Sequence, residues 1–419
     1  MSSTSLDPRR ADAPLDYMER AREIAPMLAA AADEIEERRE LPERIVEALI
    51  ERGFFRMLLP RSLGGAELDP LTYAQVLEEI AKADPSTAWS LGQNSGCSMT
   101  APYLDPAVAR EIFGPPRGIL AWGPELPGAG RGVAVEGGIR VTGRWGFATG
   151  SRHATWLGAH VPIFEPDGTQ RLNPNGRPFV RTVLFPKSSA EIIDNWQVIG
   201  LRGTGSDSYR VDDLFVPQKY TASRDNEAER REPGLLYRFT SGMIYAASFS
   251  NVSLGIARGA LDAFIVLARD KIPRGARGTL RENNVVQSQV AQCEARLRSS
   301  RAFIHQTLAE MWEEAERRAS SCTSSTSGCA CRRLGRSTRH VTSSPPSMVR
   351  PARQRSLMRT RSSAACAIST PGPSRARGGR SILRPLAKSF SACRRRGGCS
   401  AEQPPRRAKR RRNRVSMAK

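Results

Sequence analysis

The apolar positions of the chain change their period twice. From Tyr17 to Glu40 they recur at helical spacing, with Ile24, Leu28 and Ile35 set among alanines and charges. Pro42 stands at the favourable first turn of a second helix, striped by Ile45, Val46, Leu49 and Ile50, and Gly53 ends it. Tyr73, Val76, Leu77 and Ile80 space a third helix. Asp84-Pro85-Ser86 breaks it and opens a fourth that runs to about Ala101. The pattern predicts an all-helical domain over residues 17–116, behind a polar, disordered N-terminus at 1–16.

From Ile119 the period shortens. Gly130–Val135, Gly138–Gly143, Ala154–Val161, Phe179–Pro186, Ile192–Val198 and Ser208–Val216 are short strand-like runs punctuated by Gly, Pro and Asn. With no helix between them they predict a small antiparallel β-barrel or sandwich over residues 117–222. After a linker, helical spacing returns in two long segments, Phe239–Arg269 and Val285–Arg318, which read as half of a helical bundle over 235–318. The fold class is α+β.

Composition splits the chain again. Residues 321–419 hold 25 Lys plus Arg and one acid, Glu402, leaving 39 basic and 41 acidic residues in 1–320. The formal charge of +22 therefore belongs to the tail, and the first three-quarters is near neutral. Cys97 and Cys293 are the two of eight cysteines before the tail, which suits a reducing cytoplasm. The N-terminus shows no secretory signal and no apolar run reads as a membrane span. No Cys/His spacing in 1–320 fits a metal site.

Gly143 to Trp156 carries the candidate chemistry. Strand alternation places Trp145, Phe147 and Thr149 on one face and Gly146, Ala148 and Gly150 on the other. Such a face offers a flat ring an aromatic wall with a hydroxyl at its edge; a core strand followed by a tight turn has the same pattern. Gly200–Ser206 lies between strands, opens no helix and lacks the Lys of a P-loop, so it reads as a supporting turn. His153 is a candidate base, although a lone His is more often a structural donor.

Leu59-Pro60-Arg61-Ser62-Leu63-Gly64-Gly65 and Leu77 through Trp89 resemble the N-terminal signature of the acyl-CoA dehydrogenase-like flavoproteins. Gly143–Trp156, Gly200–Ser206 and Val211–Pro217 resemble the two-component flavin-dependent monooxygenase branch of that superfamily. The resemblance covers about residues 18–318. It implies the acyl-CoA dehydrogenase fold, FMN or FAD supplied reduced by a flavin reductase, O2, a small-molecule substrate and a homotetramer. By the same resemblance Trp122, Phe147, Thr149 and Trp196 surround the flavin, with Thr149 near its N5. Lys271 and Arg274 reach a neighbouring subunit's flavin phosphate, and Cys97 and Ser98 line the substrate pocket. A true acyl-CoA dehydrogenase with bound FAD is the alternative; the expected bundle Glu is not apparent. From another class, the tail alone reads as a polyanion-binding arm, which makes nucleic acid a minor candidate partner.

Residues 320–419 supply Ser, Arg, Pro and Cys where the superfamily has two further bundle helices. Such a segment buries too little apolar surface to offset chain entropy. It reads as a disordered, basic, low-complexity tail. Its residue types are those GC-rich codons give out of frame, so we expect a shifted reading frame near Ser320. That expectation carries with it a bundle short of partners, poor solubility and impaired flavin binding.

Overall fold

The computed structural model describes residues 14–324 apart from Ala129 and Asp225. The expectations for residues 1–13 and for the tail from 325 lie outside the described residues.

The N-terminal block contains α1 (Pro14–Arg38), α2 (Glu43–Glu51), α3 (Pro70–Ala83), α4 (Pro85–Ser98) and α5 (Pro106–Phe113). An Asp-Pro pair starts each of the last three. Asp69, Asp84 and Asp105 accept backbone N–H groups of the first turn, while the proline behind each has no N–H to satisfy. Pro42 caps α2 from outside and is not its first residue. The fourth helix stops at Ser98, short of Ala101, which opens a separate 3-10 turn. Ile24, Leu28, Ile35, Ile45, Leu49, Phe54, Tyr73, Leu77 and Ile80 are almost wholly buried in one core, as their spacing predicts.

The middle segment is a mixed sheet and not a closed antiparallel barrel. Its strands are β1 (Leu120–Ala121), β2 (Arg131–Val135), β3 (Gly138–Ala148), β4 (Trp156–Phe164), β5 (Val180–Pro186), β6 (Glu191–Ile193), β7 (Asp207–Pro217) and β8 (Thr221–Ala222). The order β6-β7-β3-β2-β4-β5-β8 leaves both ends open. One edge of β4 pairs with β5 along its length. The other is shared by two parallel neighbours, β1 at Trp156 and Leu157 and β2 at Ile163 and Phe164. Side chains from the two sides of that seam meet: Trp145 stacks on Tyr209 at 5.5 Å, and Tyr209 donates its hydroxyl to the Gly158 carbonyl.

Two long helices follow, α6 (Ser241–Asp270) and α7 (Asn284–Ser324). The first half of α6 lies on α3 and α4, so close at Gly255 that a Cβ would sit 2.4 Å from the Glu78 carbonyl oxygen. By length and composition alone α6 is long and apolar enough to cross a membrane, contrary to the sequence reading; buried Ser248 and Asn251 face the helices packed on it. On α7, Arg301 and His305 reach the buried Glu78 of α3. Arg301 Nε is 2.8 Å and His305 Nε2 3.5 Å from its carboxylate.

Candidate active site

A β-bulge makes the aromatic corner. Trp145 pairs with Tyr209 and Ala148 with Asp207, so three steps on β3 oppose two on β7. Phe147 absorbs the extra residue at φ 57° and turns outward, 46% exposed. The alternation expected for Trp145, Phe147 and Thr149 therefore fails. Trp145 is fully buried inside the sheet and belongs to no wall. Phe147 instead stands edge-on to Trp196, centroids 6.0 Å apart, and Trp196 donates its indole N–H to the Leu201 carbonyl at 3.2 Å.

Thr149 sits behind that corner, 4% exposed. Its hydroxyl is 2.7 Å from that of Ser206, which is 2.8 Å from that of Thr204. Thr204 donates to the Leu201 carbonyl at 2.8 Å. That last bond fixes the direction of the others. Thr204 has one proton and uses it on Leu201, so Ser206 donates to Thr204 and Thr149 donates to Ser206. The Thr149 oxygen is left with lone pairs only. Arg152 clamps the second strand of the corner, with Nε 2.7 Å from buried Asp207 and Nη2 3.1 Å from Asp194. Asp194 also takes a fork from Arg39, and that hydrogen bond holds its carboxyl below the ordinary range.

A second cluster lies beyond β1. Gly123 is so close to the bulge that a Cβ would overlap the Gly146 carbonyl oxygen. The neighbouring Trp122 is turned the other way, edge-on to His160 at 4.9 Å and under the Arg224 guanidinium at 5.1 Å. The buried Cys97 thiol is 3.8 Å from the Tyr245 hydroxyl. Burial pushes Cys97 up to about 12 and His160 down to about 4, so both are neutral at physiological pH. Ser98 is buried but spends its hydroxyl on the Ser95 carbonyl at 2.7 Å, inside its own helix.

His153 joins the helical block to the sheet. Asn94 donates to the Leu120 carbonyl at 3.0 Å, so its Oδ1 accepts from His153 Nε2, 3.1 Å away. Burial, helped by Lys187 and Arg117, lowers this imidazole to about 3. It is a neutral tie at this point, next to a charged cleft of about 310 Å³ in which Arg38, Arg117 and Arg152 pair with Glu40, Glu43 and other acids. Lys271 and Arg274 lie exposed in the loop after the C-terminal end of α6, the opposite end of that helix from Tyr245. No group of His, Cys, Asp and Glu among the described residues could hold a metal.

Comparison with known proteins identifies the family. Residues 16–105 match the acyl-CoA dehydrogenase N-terminal domain and residues 247–348 the acyl-CoA dehydrogenase C-terminal domain. Indole-3-acetate monooxygenase of Pseudomonas putida is 31% identical over 287 residues, 68% of this chain and 70% of that protein. The chain belongs to the acyl-CoA dehydrogenase family, in its flavin-dependent monooxygenase branch. The oxygenase subunit HsaA of a flavin-dependent monooxygenase from Rhodococcus jostii RHA1 is 31% identical over 59% of this chain and 64% of its own length. The crystal structure of 3-HSA hydroxylase from Rhodococcus sp. RHA1 aligns with a TM-score of 0.63 at 26% identity, covering 74% of this chain and 78% of that one.

Of the residues expected around a flavin, the structure brings Phe147, Trp196 and, through Ser206 and Thr204, Thr149 to one corner. Missed were Ser206 and Thr204, which the sequence shows only as part of a glycine-rich turn, and Tyr245 and Arg224. The last two come from α6 and from the stretch before it, and nothing in their local sequence marks them.

Proposed function

We propose that the chain is the oxygenase component of a two-component flavin-dependent monooxygenase. It takes reduced FMN or FAD from a flavin reductase and uses O2 to hydroxylate an aromatic or related small molecule. The oriented hydroxyl chain at Thr149 carries this reading. When bound, a reduced flavin supplies the electrons that activate O2, and its N5 bears a hydrogen, whereas N5 of the oxidised ring has a lone pair. Thr149, which can only accept, suits the reduced form. Phe147 and Trp196 present ring surface to a flat ligand and exclude water from its edge. Ser206 and Thr204 hold the Thr149 proton inward. Trp122, Cys97 and Ser98 stand on the side toward α4, where a substrate would lie.

We place the protein in a reducing compartment, consistent with free thiols at Cys97 and Cys293. We further propose a homotetramer in which the exposed Lys271 and Arg274 reach a neighbouring subunit's flavin phosphate; light scattering of the flavin complex tests it.

The flavin reading is tested by anaerobic titration of FMN in both oxidation states. Wild type should prefer reduced FMN, and Thr149→Val should lose about tenfold of that preference, the scale of one hydrogen bond to a buried group. Mixing the reduced complex with O2 should release H2O2 later than free flavin does. Equal affinity for both flavins together with undelayed H2O2 would overturn the reading, and reduction of stably bound FAD by an acyl-CoA would replace it with the dehydrogenase.

A further inference from the structure

Arg224 stands in the second cluster without a counter-charge. Among the described residues no carboxylate comes within salt-bridge reach of it, although most other half-buried arginines here are paired, Arg152, Arg181 and Arg258 among them. Its guanidinium lies over the Trp122 ring and donates one N–H to the Ser241 hydroxyl. The groups around it are neutral. Burial holds the Cys97 thiol and the Tyr245 hydroxyl well above their ordinary values and His160 well below its own. A cation kept half-buried among neutral groups invites an anion, and a guanidinium with unused N–H donors in a plane matches a carboxylate bidentately. The same side chains supply ring faces at Trp122 and Tyr245, the latter stacked on Phe249 at 5.8 Å.

We propose that Arg224 is the specificity residue of the substrate pocket and that the substrate is an aromatic acid, its ring against Trp122 and Tyr245 and its carboxylate on the guanidinium. This rests on the oxygenase reading, which gives the pocket its substrate. The anion preference is an equilibrium property and is measured apart from oxygen chemistry.

Calorimetry on the full chain, with and without reduced FMN under anaerobic conditions, compares phenylacetate, 4-hydroxyphenylacetate and indole-3-acetate, each with its primary amide. At least one acid should bind about tenfold or more tighter than its amide in wild type, as expected for charge-assisted hydrogen bonds. Arg224→Gln should bring that ratio near one, and Arg224→Lys, which keeps the charge and loses the fork, should lower it several-fold. No acid outbinding its amide in wild type overturns the proposal, as does a ratio that survives in either variant. Should Arg224→Gln fail to fold, the wild-type ratio and the Lys variant decide. Reduced-FMN affinity should be the same in all three proteins. Its absence in wild type would count against the oxygenase reading, whereas a wild type that binds reduced FMN but shows no acid preference counts against the Arg224 proposal alone.

Discussion

Helix α3 is richer in apolar residues per turn than α7, and the two also differ in what lies on their apolar faces. On α3, Tyr73, Ala74, Val76, Leu77, Ile80 and Ala81 are all buried, between α1 on one side and α4 and α6 on the other. On α7, Leu297 and Leu308 are buried while Val285 and Phe303 are 65% and 72% exposed; the far end of α6 likewise exposes Val266 at 62%. An amphipathic stripe therefore does not stabilise a helix by itself. What matters is whether a second element lies on each apolar face, and for α7 the described residues supply one face only.

The sharpest way to break the comparison is to truncate one side chain on each helix. Leu77→Ala empties a fully buried site in α3 and should cost about 2–5 kcal/mol in denaturant unfolding. Phe303→Ala removes more atoms but should cost less than about 0.5 kcal/mol, since the ring already faces water. A cost for Phe303→Ala near that of Leu77→Ala would mean that another surface covers α7 in solution.

Glu78 is where the two regions are joined. Burial alone would raise its carboxyl; hydrogen bonds from His305 and Arg301 outweigh that and hold it below the ordinary range. Glu78→Ala leaves those two side chains without their partner and should cost about 1–3 kcal/mol, less than the roughly 3–5 kcal/mol of a fully buried pair because Arg301 is one-third exposed. Amide exchange locates the loss: α7 should lose protection well before α3. Equal loss in both helices would show that the pair does not act as a clamp on α7.

The sequence was most readable where local chemistry decides structure. Asp84-Pro85 announces the end of one helix and the cap of the next from two adjacent residues. It was least readable where a distant strand decides. Nothing in the run from Trp156 to Phe164 says that its second edge is shared by two parallel partners, so short strands and turn residues suggested a barrel. The bulge at Phe147 is a similar case. Alternation put Trp145 and Thr149 on one face, and only the register against Tyr209 and Asp207 reveals the extra residue. Thr149 could be picked out from its motif, but its hydrogen-bond direction depends on Ser206 and Thr204, 57 and 55 positions away in the chain.

Acid separates the regions in a different way. His153 and His160 are both in the sheet segment, held near 3 and 4 by burial against an ordinary value of 6.5. Below pH 6.5 the unfolded chain takes up protons that the folded chain refuses, so stability falls as pH drops from 6.5 toward 3–4 and is flat above. At pH 5.5 each contributes a loss of about 1.4 kcal/mol. His153→Asn, whose amide can still donate to Asn94, should roughly halve the decline in Tm between pH 7.5 and 5.5. An unchanged slope would place the acid sensitivity elsewhere, for instance in the carboxylates that α7 pairs with its own arginines.

Those pairs give the smallest expected effect and the finest test of what holds α7. Glu294 with Arg298 and Glu314 with Arg318 lie four residues apart at 2.6 and 2.5 Å, and three of the four side chains are more than a third exposed. Exposed pairs of this kind are worth about 0.3–0.5 kcal/mol and are screened by salt. On a helix packed on both sides such a loss disappears against the burial term. On α7 the burial term is small, so local contributions set how far the helix frays. Arg298→Ala and Arg318→Ala should leave the global unfolding midpoint unchanged within error. Arg318→Ala, in the C-terminal part of α7, should raise amide exchange there more than Arg298→Ala does beside Arg258, which also grips Glu294 at 2.5 Å. If both variants exchange like wild type, α7 is held by contacts beyond these helices, and its exposed face is covered in the folded protein.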